Sequence, residues 1–260
     1  MDLKLTGKRA LITGGSKGIG LATAQALAAE GAEVTIVART AGPLEEAATL
    51  IYERTGKRVL TLQADVASEE EATRAVQHSV EHWGGIDILI NNAGTSFAQP
   101  FEAIEAELWD ADLGLKLMGA VFFARAVVPH MKAAGGGAIV NVTAVKGKAP
   151  TASSLPTSVS RAAGLALTKA MSHDLAPHNI RVNAVCIGLI RSAQIEAKWQ
   201  QVAPQLSWEE FSANPAHGIP LGRIGEAAEA AQVIAFLASG ATSYVTGTAV
   251  NIDGGSAPVL

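Results

Sequence analysis

The first residues whose types and spacing could do chemistry form one short run, Thr13-Gly14-Gly15-Ser16-Lys17-Gly18-Ile19-Gly20. It follows an apolar run, Ala10–Thr13, and precedes a helical pattern that opens Leu21-Ala22-Thr23-Ala24. Glycines at such a turn let backbone N–H groups approach a pyrophosphate, and the helix behind them aims its positive end at the same anion. Gly14, Ser16, Lys17, Gly18, Ile19 and Gly20 are therefore candidates for binding a nucleotide cofactor. The spacing Gly-x-x-x-Gly-x-Gly is wider than the tight dinucleotide fingerprint, and any strand-to-helix turn can hold three glycines. The end of the second apolar run reads Val37-Ala38-Arg39-Thr40. A ribose 2′-OH wants a carboxylate there, whereas a 2′-phosphate wants a cation. Arg39, with Lys17 as a second positive charge, points to NADP(H) over NAD(H), in line with guanidinium preference for phosphate.

Elements able to hold such a turn recur along the chain. Short β-branched runs lie at Ala10–Thr13, Val34–Val37, Val59–Leu62, Ile86–Ile90, Ala138–Val142, Val182–Cys186 and Ala249–Ile252. Between them, helical spacing covers Gly20–Glu30, Gly42–Arg54, Glu69–Trp83, Phe101–Ala134, Ala162–Leu175 and Ala227–Ala238. Strands apolar enough to be buried on both faces, alternating with helices, predict a doubly wound α/β fold with a parallel sheet. A chain of 260 residues, 48% of them hydrophobic, suffices for one large core, so residues 1–260 read as a single domain. The irregular stretch 192–221 carries Pro204, Pro215, Pro220, Trp199, Trp208 and Phe211. It reads as a substrate lid, or as a surface excursion packed by its own aromatics.

Composition excludes several classes. Twenty-six glycines and ten prolines without a period rule out a collagen-like or low-complexity chain. Cys186 alone supports neither a disulfide framework nor a cysteine-rich zinc site, and no metal is expected. Net charge −4 gives no nucleic-acid footprint. With no membrane-length apolar run and no signal-like start in MDLKLTGKRALIT, a cytoplasmic protein is expected.

Several motifs stand in one register: Thr13 to Gly20, Asp65-Val66, Asn91-Asn92-Ala93-Gly94, Arg181-Val182-Asn183-Ala184-Val185, Gly222-Arg223-Ile224-Gly225 and Asp253-Gly254-Gly255. In order and spacing nearly the whole chain resembles the classical short-chain dehydrogenase/reductase family. That resemblance implies a Rossmann-type seven-stranded parallel sheet with helices on both faces, an NAD(P) cofactor, a small-molecule substrate and a homo-oligomer, tetramer or dimer. By the same resemblance Asp65 and Val66 would flank the adenine, while Asn91, Ala93 and Gly94 would support the cofactor and central strand. Gly188, Ile190 and Ser192 would approach the nicotinamide carboxamide, with Ile187 where the family has proline.

Family members reduce a carbonyl with an asparagine, a serine and a Tyr-x-x-x-Lys pair. At those positions this chain has Lys116, Ala144, Thr157 and Arg161, all four substituted. The two tyrosines, Tyr52 and Tyr244, lie elsewhere, so no shift of register restores the missing phenol. An aliphatic hydroxyl is a far weaker acid than a phenol of pKa about 10. Arg161 can keep the fixed charge and bond the nicotinamide ribose but cannot shuttle a proton. Lys116 has an ordinary pKa of about 10.4, which burial beside Arg161 would lower. It either donates the proton or polarises a carbonyl, or else extends to solvent or an interface. Thr143, Ser153, Ser154, Ser158 and Ser160 offer spare hydroxyls that could equally cap backbone groups. Lys146 and Lys148 could join Lys116 and Arg161 in a cationic pocket for an anionic substrate, or be solvated. Of the histidines only His217, in the lid, is placed for a role.

Three functions fit. The first is an NADP-dependent oxidoreductase acting on a carbonyl or alcohol with an atypical proton-transfer site. The second is a catalytically inactive nucleotide-binding protein acting as sensor or partner subunit. The third is non-redox chemistry on the same scaffold.

Overall fold

The computed structural model describes residues 2–260. Strands β1 (Arg9–Thr13), β2 (Glu33–Ala38), β3 (Leu60–Gln63), β4 (Ile88–Asn91), β5 (Gly137–Ala144), β6 (Ile180–Ile187) and β7 (Ala249–Ile252) form one sheet in the order β3-β2-β1-β4-β5-β6-β7, all parallel. This is the doubly wound Rossmann-type architecture expected.

Alternate strand residues feed two cores, because successive side chains leave a strand on opposite faces. Ile12, Ile36, Ile90 and Val140 pack under helices α1 (Gly18–Ala29), α2 (Ala41–Thr55) and α9 (Ala227–Ala238). Their neighbours Leu11, Val37, Leu89 and Ile139 pack under α3 (Glu69–Trp83) and α5 (Gly119–Ala133) on the other face. Both faces are thereby buried, which explains why the strands read as continuous apolar runs. The chain runs outward from β1 to β3 and then returns to β4 beside β1. That reversal leaves a crevice beyond the carboxyl ends of β1 and β4, where open α/β sheets bind ligands.

Several helix boundaries differ from the sequence expectation, most of all in the central stretch. The stretch Phe101–Ala134 is not one helix. A 3-10 turn at Phe101–Ala103 gives way to α4 (Ala106–Leu113), a wide π turn (Gly114–Met118) and then α5. At Gly119 a Cβ would come within 3.1 Å of Val66, so the helix crosses the end of β3 at a glycine. Helix α6 (Thr157–Leu175) starts ahead of the expected Ala162, and α1 starts at Gly18 rather than Gly20.

Stretch 192–221 is mostly ordered, as α7 (Ala193–Val202), α8 (Trp208–Ser212) and a 3-10 turn at Pro215–His217. A small core of Ala203, Trp208, Phe211 and Ile224, with Trp199 against it, holds it together. Its two ends are stitched where Arg191 N–H donates to Gly225 O (2.8 Å) and Gly225 N–H to Leu189 O (3.1 Å). Among the described residues no helix is long and apolar enough to cross a membrane.

Candidate nucleotide cleft and reaction site

A cavity of about 280 Å³ occupies the crevice beyond β1, its wall including Gly14, Ser16, Lys17, Arg39, Val66 and Gly94. The glycines are required by geometry. Gly14 and Gly18 have φ of +65° and +54°, in the left-handed region that favours glycine. A Cβ on Gly20 would collide with the Gly14 carbonyl oxygen, and one on Gly14 would sit 2.9 Å from Ala93 Cα. Lys17 is the N-cap of α1 without any side-chain cap, and the first turn holds no acidic residue. The first amides of α1 are thus left for an anion, as a phosphate requires. Ile19 anchors the loop on the core. Among the described residues neither Lys17 nor Arg39 makes an ion pair, and both are exposed at the cleft. A glycine cradle, an uncapped helix end and two free cations fit a phosphorylated dinucleotide.

The strand ends complete the cleft. Asn92 was not a candidate on its own, yet its Nδ2 donates to Thr13 O (3.0 Å) and Gly14 O (3.1 Å), tying the glycine turn to β4. Asn91 Nδ2 donates to Asn141 Oδ1 at 2.9 Å, joining the end of β4 to β5. Asp65 Oδ1 accepts from Ala67 N–H, and Val66 is 4% exposed. Gly94 lets the Arg161 guanidinium pass, since a Cβ there would be 2.8 Å from Nη2. Gly188, Ile190 and Ser192 stand outside the lining of this cavity. Gly188 packs on Asp253, Ile190 bridges to Gly225, and the Ser192 hydroxyl caps α7 by accepting from Ile195 N–H.

The candidate reaction site lies where α4, the π turn and α6 meet. Lys116 does not extend to solvent: its side chain is 1% exposed. Its ammonium donates to Asp112 Oδ1 and, at 3.0 Å, to Thr157 Oγ1, and stands 5.4 Å from the centre of the Phe97 ring. Thr157 Oγ1 also accepts from Phe97 N–H (3.0 Å) and donates to Asp112 Oδ1 (3.3 Å). One donated and two accepted bonds exhaust a hydroxyl. Thr157 is therefore a junction between α4, α6 and the loop after β4. Neither Asp112 nor Phe97 was foreseen, although Asp-x-x-x-Lys places Asp112 one helical turn before Lys116.

Arg161 donates from Nη1 to Val142 O at 2.6 Å, while its Nε is buried without a partner. A small chamber of about 20 Å³ is lined in part by Lys116, Arg161, Asn91 and Thr143. Burial pulls Lys116 down to about 8; the hydrogen bond to Asp112 opposes this, and the charge of Arg161 adds to it. Burial likewise lowers Arg161 to about 10, so it stays charged at neutral pH. Ala144 ends β5 opposite Ile187 and brings no polar side-chain atom.

Other expected participants are engaged elsewhere. Lys148 Nζ is held by Ala249 O, Asn251 Oδ1 and Leu260 O, and Lys146 is exposed, so the cationic group reduces to Lys116 and Arg161. Thr143 donates to Val185 O, Ser154 to Thr151 O and Ser160 to Thr157 O, whereas Ser153 is exposed and Ser158 is buried without a partner. The His217 ring nitrogen pairs with Phe211 O at 2.7 Å. The stretch 192–221 reaches the cleft through Gln194, whose Nε2 donates to Thr95 Oγ1 (2.7 Å) and whose Oε1 accepts from Ser96 N–H (3.4 Å).

Comparison with known proteins covers almost the whole chain. A family model described as enoyl-(acyl carrier protein) reductase matches residues 14–257. The dehydrogenase/reductase SDR family member 4 of Homo sapiens is 35% identical over 254 residues, 97% of this chain and 88% of that one. The structure of L-sorbose reductase from Gluconobacter frateurii, complexed with NADPH and L-sorbose, superposes with a TM-score of 0.95 at 35% identity over 100% of both chains. An NADPH-bound short-chain oxidoreductase from Pseudomonas aeruginosa PAO1, described as containing an atypical catalytic center, superposes with a TM-score of 0.91 at 33% identity, covering 96% of this chain and 97% of that one.

Proposed function

We propose, for a chain that belongs to the short-chain dehydrogenase/reductase family, an NADP(H)-dependent oxidoreductase that interconverts a small carbonyl compound and its alcohol, with Lys116 in place of the family's tyrosine as proton donor. The observation that carries this reading is the buried, polar-held ammonium of Lys116 beside Arg161, with a pKa of about 8. A general acid works best when its pKa lies near the working pH.

In this reading the glycine turn and the uncapped end of α1 bind the pyrophosphate. Arg39 and Lys17 take the 2′-phosphate, and Arg161 bonds the nicotinamide ribose. Bound NADPH supplies the hydride. Asp112 and Thr157 take two of the three N–H bonds of the Lys116 ammonium, leaving one to polarise the carbonyl oxygen and pass it a proton. Lys116 recovers its proton from solvent. With alanine at position 144 the oxyanion loses a hydroxyl contact, and the ammonium charge takes over that stabilisation.

NADPH titration followed through lid tryptophan fluorescence, then NADPH oxidation with a panel of ketones, tests the assignment. Saturable binding with turnover of at least one ketone is the expected result; absence of any NADPH binding would sink it. The lid contact adds a smaller expectation. Gln194→Ala removes two hydrogen bonds at the cleft edge and should speed NADPH release about three- to tenfold in stopped-flow displacement.

One observation favours a second reading. Phe97 and Thr157 close over Lys116, whose side chain is almost without solvent contact. A site that stays so closed suits a nucleotide-binding sensor or partner subunit, and tight NADPH binding with no turnover across the panel would select it.

A further inference from the structure

We propose that Asp112 is a positioning residue: its carboxylate, shared by the Lys116 ammonium and the Thr157 hydroxyl, fixes Lys116 in the reaction site and locks α4 to α6. This rests on the reading of Lys116 as proton donor. Asp112 is 0% exposed, and its Oδ1 accepts from both Lys116 Nζ and Thr157 Oγ1.

Stability alone does not account for this arrangement. Withdrawing two charges from water costs about as much as their attraction returns, so an apolar pair of equal volume would serve the fold as well. Asp112 Oδ2 is moreover buried with no hydrogen-bond partner, a further cost that a purely structural pair would avoid. The π turn that follows Asp112 carries Lys116, and such turns concentrate at functional sites.

The charges facing Lys116 are few. α4 brings Asp112 and α6 brings Arg161, while the polar groups that β4 and β5 bring to the chamber are the amides of Asn91 and Asn141 and the hydroxyl of Thr143. Asp112 is thus the one anion set against two cations. Without its charge the ammonium faces Arg161 alone, loses its proton more readily and is free to swing.

The test is an NMR titration of the Lys116 ammonium, with ¹³C,¹⁵N-lysine label and assignment by loss of the signal in Lys116→Met, on the full chain without nucleotide. Asp112→Asn keeps the size and one acceptor but drops the charge, and is expected to lower the Lys116 midpoint by about one unit or more, a tenfold change in proton affinity. The pH limb of kcat should move with it while KM for NADPH stays put. An unmoved midpoint would overturn the proposal. If the asparagine variant fails to fold, Asp112→Glu decides. A midpoint kept near wild type with reduced kcat supports control by the carboxylate, and one that falls overturns it. Wild-type protein that turns over no ketone would remove the oxidoreductase reading, yet the titration would still report whether Asp112 governs Lys116.

Discussion

Lys116→Met is expected to slow ketone reduction about a hundred- to ten-thousandfold, the contribution of a positioned general acid, while NADPH still binds. Methionine keeps the length and apolar stem of the side chain and removes only the ammonium. The substitution strands the Asp112 carboxylate in a site that is 0% exposed, so thermal stability should fall as well, by about 3–5 kcal/mol. Lys116→Met with Asp112→Leu separates the two effects. The double variant should regain stability, since both buried charges are gone, and still show no turnover. Turnover retained in either variant would end the role of Lys116.

The pH dependence follows the same group. Reduction needs the ammonium, so kcat for reduction should decline as pH rises through about 8, whereas oxidation of the alcohol, which needs the free amine, should rise through it. Stability moves with the second trend. Burial lowers the pKa of Lys116 from 10.5 to about 8, so between those values the unfolded chain holds more protons than the folded one, and stability climbs with pH across that window. Melting curves of wild type and the double variant, compared over that range, should diverge for this reason.

Arg39→Asp is expected to weaken NADPH binding about ten- to a hundredfold, the worth of a charge-assisted hydrogen bond to phosphate, and to improve NADH binding. Arg39 is exposed at the end of β2 with no ion-pair partner among the described residues, so nothing else in the fold depends on its charge. The introduced carboxylate repels a 2′-phosphate and can accept from a 2′-OH. Adding Lys17→Ser should widen the change further, because Lys17 lines the same cavity. Both effects should shrink as salt is raised, since exposed charges are screened beyond about 8 Å at physiological ionic strength. An unchanged ratio of NADPH to NADH affinity would overturn the assignment of Arg39.

The glycine turn was legible because its requirements are local. A positive φ at Gly14 and Gly18, and the close approach of Gly20 to Gly14, are properties of a few consecutive residues. The strands were legible for a similar reason, since burial on both faces leaves an uninterrupted apolar run such as Ile88–Ile90. The break in Phe101–Ala134 was not, because apolar spacing continues through the π turn at Gly114–Met118. Lys148 read as a possible pocket cation and proved tied to the chain end through Leu260 O, a partner far away in sequence.

The sequence by itself determined the parallel α/β plan, the glycine turn with Lys17 in it and Arg39 at the end of the second strand, and the lack of a tyrosine at the family's catalytic position. Each is a matter of residue type at a short spacing. Only the tertiary structure decided what Lys116 does with its charge. A lysine on a helix can turn inward or outward at equal cost to the helix, and the choice came from groups distant in the chain. The Thr157 hydroxyl on α6, itself held by the Phe97 N–H, and the Phe97 ring stand around it, and with Asp112 they make burial of that ammonium tolerable.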